Sequence, residues 1–321
     1  MTASVVGRLA AIIALGAWPF VAPNEFLVTV VLLISISAIG ATSLHLIIRT
    51  GHVSLAHAAF MGVGCYATVF AIMQLGWPFP FNMLAGAVAP ALLALLIGPI
   101  LLRLQGKYFI LVTFLLGEIL RLAFVKATDI TGGANGIFGI PAPAPVFASP
   151  LGQYYLAVGT AVACVLLVGH VLRSGLGRAI NSIREGERLA ECSGVPVLRV
   201  KVGVFMLASA LVGLQGGLIA FHLHYVDPGA FTSVQSLGFL VMNVIGGMER
   251  LAGPLLGAAF MVAMPELLRG YVELQQVLFG LILIFVIAAM PGGIAELLAR
   301  PRLPWKRGKI LLPGDTTMAP R

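Results

Sequence analysis

The sequence predicts an all-α polytopic membrane protein with about ten transmembrane helices and both termini in the cytoplasm. Three observations predict this fold. Only 10% of the 321 residues are charged and 59% are hydrophobic, whereas a soluble domain carries about 25% charged residues. The mean hydropathy is +1.02. Two long stretches, 50–102 and 130–172, contain no Asp, Glu, Lys or Arg. These values exclude both a soluble fold and a disordered chain.

The predicted spans are the apolar segments between charges and Pro/Gly clusters, since a crossing helix needs about 20 apolar residues. They are 9–21, 27–48, 55–75, 82–102, 109–125, 152–172, 202–222, 234–248, 251–268 and 274–290. The first, eighth and ninth are short or interrupted, so re-entrant segments or paired half-helices are alternatives there. A secretory signal is a further alternative for the first span, although many spans follow it.

Basic residues set the orientation, because loops rich in Lys and Arg stay in the cytoplasm. With a cytoplasmic N-terminus, all of the 20 Lys and Arg residues except Arg121, Lys126 and Arg269 fall on that side or in the cytoplasmic tail. We therefore assign 1–300 to a transmembrane domain and 301–321 to a basic tail that can touch lipid headgroups. Because these loops account for the net charge of +8, nucleic-acid binding is not expected.

The outer loop, 126–151, is longer than most connections, and such loops are usually functional or disordered. Its glycines permit tight turns and the prolines that follow stiffen the chain, which favours an ordered cap over a pore mouth. A plain spacer is the alternative. The candidate cap residues are Thr131, Gly132, Gly133, Asn135 and Gly136.

The inner loop, 173–201, has the pattern of a short amphipathic helix. Its apolar residues recur at helical spacing, and Gly194 followed by Pro196 is a helix stop. Such a helix lies on lipid or fits a groove of a partner protein. Acids mixed with arginines favour the protein groove. The apolar stripe comprises Ile180, Ile183, Leu189 and Ala190, and the candidate residues for contact with a partner protein are Arg178, Arg184, Glu185, Glu187, Arg188, Glu191 and Gly194.

Catalytic motifs are absent from the sequence. The Gly-Lys pairs that begin at Gly106 and Gly308 are followed by Tyr and Ile, so neither completes a phosphate-binding loop. There is no zinc-protease or nucleophile-elbow motif, and no cysteine pair with metal-ligand spacing. We expect no catalytic residue, metal or cofactor in this chain.

Polar residues inside predicted spans mark candidate functional positions, because charge is costly in the bilayer. Glu118 and Arg121 are three residues apart, so they can pair structurally or act in gating or solute contact. Asn243, beside Gly246 and Gly247, can contact a solute or form a helix–helix hydrogen bond. Close helix packing is predicted at two glycine pairs, Gly213 with Gly217 and Gly253 with Gly257.

Several motifs in order along the chain resemble the LivM-type permeases, membrane subunits of ABC importers for branched-chain amino acids. One is the run GHVSLAHAAFMGVG at 51–64, and another is TGGANGIFGIP at 131–141. The other matching segments are 108–109, 117–121, 177–194, 246–254 and 265–269.

The resemblance implies a bacterial cytoplasmic (inner) membrane protein with several partners. These are a second related permease, two cytoplasmic ATPase subunits that bind ATP and Mg²⁺, and a periplasmic solute-binding protein. It places Ser54 and His57 with Glu118, Arg121, Asn243, Gly246 and Gly247 as candidates for the translocation path, and makes the inner loop a coupling helix. Arg188 departs from the usual importer signature, which has Glu there.

The sequence does not identify the transported solute. Permeases of this type also serve urea, short amides and aromatic acids. An ion-coupled secondary transporter is a weaker alternative, since it would need unpaired buried acids or unwound half-helices with coordinating carbonyls.

Overall fold

The fold is described from a computed structural model of residues 13–21, 24–268, 274–289 and 292–298. Apart from short turns and one two-stranded ribbon, these residues are helical. The helices are strongly apolar and pack side by side. This confirms an all-α polytopic membrane protein.

Fourteen helices can be followed in chain order. They are α1 (residues 13–21), α2 (Glu25–Ile48), α3 (His57–Met73), α4 (Phe81–Leu101), α5 (Lys107–Lys126), α6 (Thr128–Thr131), α7 (Pro150–Arg173), α8 (Gly175–Glu185), α9 (Glu187–Cys192), α10 (Val197–Leu223), α11 (Ser233–Gly246), α12 (Ala252–Leu267), α13 (Gln275–Ala289) and α14 (Ile294–Leu298). The strands β1 (Ile137–Phe138) and β2 (Tyr225–Val226) pair antiparallel. We call the end of the bundle that carries α8 and α9 the inner end, and the end that carries β1 and β2 the outer end.

Each predicted span lies on a helix, as far as the structure describes it; residues 9–12 and 290 lie outside the described residues. Five helices, α2, α4, α5, α7 and α10, are long and apolar enough to cross a membrane. Three others, α3, α11 and α12, have 17, 14 and 16 residues, fewer than the about 20 that a crossing helix usually needs. The sequence predicted short spans at the positions of α11 and α12, but it did not predict that α3 is short. The number of crossings and the side of each terminus stay predictions.

The core lies around α10, which packs against α2, α3 and α4. Glycines let these helices approach closely. A Cβ on Gly213 of α10 would overlap the carbonyl oxygen of Gly86 in α4, and one on Gly64 of α3 would overlap the backbone of Gly213. On the same face of α10, a Cβ on Gly217 would lie 2.8 Å from Thr68 Oγ1. The close packing predicted for this pair is therefore confirmed.

The second predicted glycine pair joins α12 to α11. A Cβ on Gly253 would overlap the carbonyl oxygen of Gly247, and one on Gly257 would overlap that of Met242. Gly246 has no room for a side chain either, because a Cβ there would overlap the Gly253 carbonyl oxygen. Gly246 and Gly247 thus serve helix packing in this structure, and their place in a translocation path stays a prediction.

The short helices α3 and α11 both begin inside the bundle, against the middle of α5. The backbone N–H of Leu55, just before α3, donates to Thr113 Oγ1 of α5 at 3.2 Å. The N–H of Ala58 donates to Ser236 Oγ, in the first turn of α11, at 2.9 Å. Thr113 is six residues into α5, about 9 Å from its start. Before α3 the chain therefore runs into the bundle as non-helical backbone, which explains why α3 is short, whereas a 3-10 turn over Pro228–Phe231 precedes α11.

The inner loop forms two helices, α8 and α9, so the prediction of one continuous helix is wrong. The chain is extended at Gly186, with φ −179° and ψ 102°, and this break turns α9 relative to α8. Ile180, Ile183 and Ala190 are buried within this chain, where the sequence predicted an apolar stripe facing lipid or a partner protein, and Leu189 is 74% exposed and leaves the stripe. The predicted stop at Gly194 is confirmed, with φ +81° and N–H groups of residues 194 and 195 bonded to carbonyls of α9.

Candidate functional site

An ion pair lies near the middle of α5. Arg121 Nε is 2.8 Å from Glu118 Oε2, and Ser233 Oγ at the start of α11 donates to Glu118 Oε1 at 2.9 Å. Glu118 is about 16 Å along α5 from its first residue, half the thickness of the hydrocarbon core. The three-residue spacing predicted this pairing, and the structure contains it.

The pair is only partly covered, with side chains of Glu118 and Arg121 that are 30% and 29% exposed. The rest of this helix is also open, since only 17% of the residues along its apolar stretch are buried. We call the exposed surface around the pair the α5 face; it comprises Leu111, Leu115, Glu118, Ile119, Arg121 and Leu122. Placing a charge in lipid at this depth costs at least about 2.5 kcal/mol. We therefore expect the α5 face to contact water or protein and not lipid.

Two helix N-termini meet beside Glu118. Gly117 makes this approach possible, because a Cβ there would already lie 3.4 Å from the Leu55 carbonyl oxygen and 3.8 Å from Ser233 Oγ. The start of α3 and the start of α11 therefore pack on the same turn of α5. Each helix N-terminus carries about half a positive charge, so the site is more positive than the ion pair alone.

Ser54, His57 and Asn243 lie in the interior, with no exposed side-chain surface. His57 Nε2 is 2.6 Å from Ser43 Oγ of α2, and Asn243 Nδ2 donates to the Ala41 carbonyl oxygen at 2.9 Å. The helix–helix hydrogen bond proposed as an alternative for Asn243 is therefore present. These three residues line no open surface in this conformation, and their role in the path stays a prediction.

The candidate coupling residues divide into two groups. Arg178, Glu185, Arg188 and Glu191 are exposed and have no hydrogen-bond or ion-pair partner in the part of the chain that the structure describes. Arg184 and Glu187, in contrast, contact other parts of this chain, the α11–α12 connection and α10 respectively. Their charges hold α8 and α9 in place and are not free for another protein. Gly194 forms the helix stop, and its coupling role stays a prediction.

Glu249, in the connection between α11 and α12, clamps α8 to the bundle. Its carboxylate forms an ion pair with Arg184 of α8, and Arg49 at the end of α2 lies 3.7 Å from the same carboxylate. Arg49 Nη2 also donates to Asn181 Oδ1 of α8 at 3.0 Å. The hydrogen bonds from Arg184 lower the pKa of the Glu249 carboxyl below its usual range. We call Arg49, Asn181, Arg184 and Glu249 the clamp.

Glu249→Gln is expected to loosen α8, because it removes the charge that both arginines contact. Exposed ion pairs contribute about 0.2–1 kcal/mol, so amide hydrogen exchange across 175–185 should rise up to about fivefold. Because the pKa of Glu249 is lowered in the folded protein, the contact is intact at neutral pH and is lost as pH falls through that lowered value. Glu191→Gln, at an exposed α9 position, is the control. Equal exchange rates across 175–185 in the two variants would show that the clamp does not hold α8.

A second contact fixes α9. Lys201 of α10 is 1% exposed, and its Nζ lies 2.6 Å from Glu187 Oε1. Gln105, between α4 and α5, donates to Glu187 Oε2 at 3.2 Å. Glu187 thus connects the first turn of α9 with α10 and with the start of α5.

The outer segment is ordered in the structure. Thr131 Oγ1 donates to the carbonyl oxygens of Phe124 and Ala127 at 2.5 and 2.8 Å. Gly132, Gly133 and Gly136 adopt φ values of +71°, +62° and +74°, which favour glycine. The Asn135 carbonyl oxygen accepts from Tyr225 Oη at 3.4 Å, next to the β1–β2 pairing. The predicted cap residues therefore form one structured unit over the outer end.

Comparison with known proteins identifies the family of this chain. A family profile described as "Branched-chain amino acid transport system / permease component" matches residues 26–287. The chain belongs to this permease family. It is 28% identical to the LivM high-affinity branched-chain amino acid permease of Escherichia coli K12, covering 91% of this chain and 75% of that protein.

Two further relatives support the assignment. The LivM permease of Salmonella typhimurium LT2 is 29% identical over 91% of this chain and 75% of its own length. The probable LivH permease of Methanocaldococcus jannaschii is 24% identical, over 87% of this chain and 92% of its own length. No solved structure matches the chain significantly. The protein is thus a multi-pass membrane permease of the ABC importer type, a transport subunit and not an enzyme.

The sequence prediction missed several residues of this permease's site. Ser233 could not be found, because its contact with Glu118 joins residues far apart in the chain. Glu249 and Lys201 carried a weak signal, since each is a charge at the edge of an apolar span. Their partners depend on how the helices pack, which the spacing of residues does not show.

Proposed function

We propose that the protein is a permease subunit of an ATP-driven importer of branched-chain amino acids in the bacterial cytoplasmic membrane. The main support is the arrangement of α8 and α9. The clamp and Glu187 tie these two helices to α2, α5, α10 and the α11–α12 connection, while their other side is free. A force applied to the free side would reach most of the bundle. Named relatives carry branched-chain amino acids, which supports the solute class.

The free side of α8 and α9 is our proposed docking surface for an ATPase subunit. It presents two exposed leucines among charges of both signs, as in an interface with an apolar centre and a polar rim. The surface comprises Leu176, Arg178, Glu185, Arg188, Leu189 and Glu191. ATP and Mg²⁺ would bind in that partner. Two such subunits would be needed, one for each permease of a pair.

The α5 face is our proposed contact with a second, related permease. It runs along a helix of membrane length that has little cover in this chain, and it includes the half-exposed ion pair. Two such faces opposite each other would enclose a polar path lined by Glu118 and Arg121. The ordered outer segment would receive a periplasmic solute-binding protein, and both termini would lie in the cytoplasm.

Leu189→Cys, in a Cys192→Ser background that removes the exposed native thiol of α9, is expected to cross-link to the ATPase subunit of the assembled importer through a thiol-to-amine reagent, because Leu189 is the most exposed apolar residue of the docking surface. The Arg178→Glu, Arg188→Glu double variant should lose ATPase co-purification while the permease stays monodisperse. Lys126→Glu, at the outer end of α5, is the matched charge reversal and should retain the ATPase. Co-purification of the ATPase with the double variant at the wild-type level would contradict this surface.

A further inference from the structure

We propose that Glu118 and Arg121 recognise the two charges of the transported amino acid, with Glu118 receiving the α-ammonium and Arg121 the α-carboxylate. The inference rests on the proposed function, since it assigns the solute contacts of the path along the α5 face. It is carried by the free edge of Arg121, the opposite charges of the pair and the apolar residues around it.

Arg121 has an unused edge. Its Nε alone contacts Glu118, at 2.8 Å, and its two terminal nitrogens have no partner among the residues that the structure describes. These two N–H groups are oriented as a fork that fits the two oxygens of a carboxylate. The guanidinium is 29% exposed, so a solute moving along the α5 face can reach it.

The charge balance favours a zwitterion over an anion or a neutral solute. Glu118 and Arg121 carry opposite charges that cancel, so the pair matches a solute with one charge of each sign. An amino acid that inserts between the two side chains exchanges one ion pair for two. A solute lacking either charge would leave Glu118 or Arg121 unpaired at mid-membrane, which is costly.

The neighbouring residues suit an apolar side chain. Leu115, Ile119 and Leu122 flank the ion pair on α5, and Val234 is exposed one residue after Ser233. An aliphatic side chain would contact these residues while its backbone charges contact Glu118 and Arg121. No enclosed pocket is needed, because a path must release its solute again.

The test uses the complete importer in proteoliposomes, with labelled leucine loaded on the cognate binding protein. Arg121→Gln and Glu118→Gln should lower leucine uptake about tenfold to a hundredfold, the value of a charge-assisted hydrogen bond. ATP hydrolysis stimulated by the loaded binding protein should stay within about twofold, because docking and coupling lie elsewhere. Uptake per ATP is therefore the diagnostic quantity.

Conservative variants separate recognition from folding. Glu118→Asp keeps the carboxylate and should restore most of the uptake, whereas Arg121→Lys keeps the charge but loses the two-nitrogen fork and should restore only part of it; Lys126→Gln on the same helix should change neither quantity. Unchanged uptake per ATP in both glutamine variants would overturn the proposal, as would a parallel loss of uptake, ATP hydrolysis and thermal stability. Absence of ATP-dependent uptake in the wild type would instead contradict the proposed function.

Discussion

Glu187→Ala is expected to destabilise the folded protein by about 3 kcal/mol, because it leaves the Lys201 ammonium buried without its ion partner. Lys201 is 1% exposed, and its Nζ lies 2.6 Å from Glu187 Oε1. Since Glu187 is also the acceptor for Gln105, its loss frees the first turn of α9 from two neighbours at once. The measurement is thermal unfolding of the purified protein in detergent.

The control is Glu185→Ala, two residues away on α8. Glu185 is exposed and has no hydrogen-bond or ion-pair partner within the described ranges, so this change should alter stability by less than about 0.5 kcal/mol. The double variant Glu187→Leu, Lys201→Met should regain most of the loss, because both charges are then removed. If Glu187→Ala and Glu185→Ala unfold at the same temperature, the Lys201 contact does not hold α9.

Gly213→Leu is expected to prevent recovery of folded protein. Gly213 lies where α10 meets α4, and even a Cβ would overlap the Gly86 carbonyl oxygen and contact the Pro90 ring. Backbone atoms cannot move aside as a flexible side chain can, so the helices must separate. Overpacking costs typically about 1–3 kcal/mol and more where backbone is displaced. The readout is the yield of monodisperse protein after size-exclusion chromatography.

Gly203 on the same helix is the matched control, because a Cβ there has nothing within 4 Å. Gly203→Leu makes the same change in volume and helix propensity, and its yield should stay near that of the wild type. A normal yield of Gly213→Leu would show that α4 and α10 are not packed as closely as described here.

The apolar helices could be predicted because a membrane span is a local property. Length and the absence of charge are sufficient to place α2, α4, α5, α7 and α10. The ion pair of Glu118 with Arg121 was predictable for the same reason, since both residues lie on one face of one helix. The glycine pairs of α10 and α12 were predictable as small residues one helical turn apart.

The remaining features depend on contacts between distant residues. The prediction applied one helical period across 180–190, but the backbone is extended at Gly186. Leu189 was therefore predicted on the buried stripe, whereas it is exposed. Glu187 was assigned to a partner protein because its buried ion-pair partner, the Lys201 ammonium, is set by the packing of α9 on α10. The start of α3 deep in the bundle was missed because hydropathy does not distinguish helix from extended backbone.

The central claim is that this permease moves solute only when ATP is hydrolysed in partner subunits. Its most direct test is uptake of labelled leucine into proteoliposomes that contain this chain, the second permease and the two ATPase subunits, with the binding protein outside. The account predicts uptake that requires ATP inside and every partner, with no transport of urea or short amides. Leucine uptake by this chain alone, driven by an ion gradient, would contradict it.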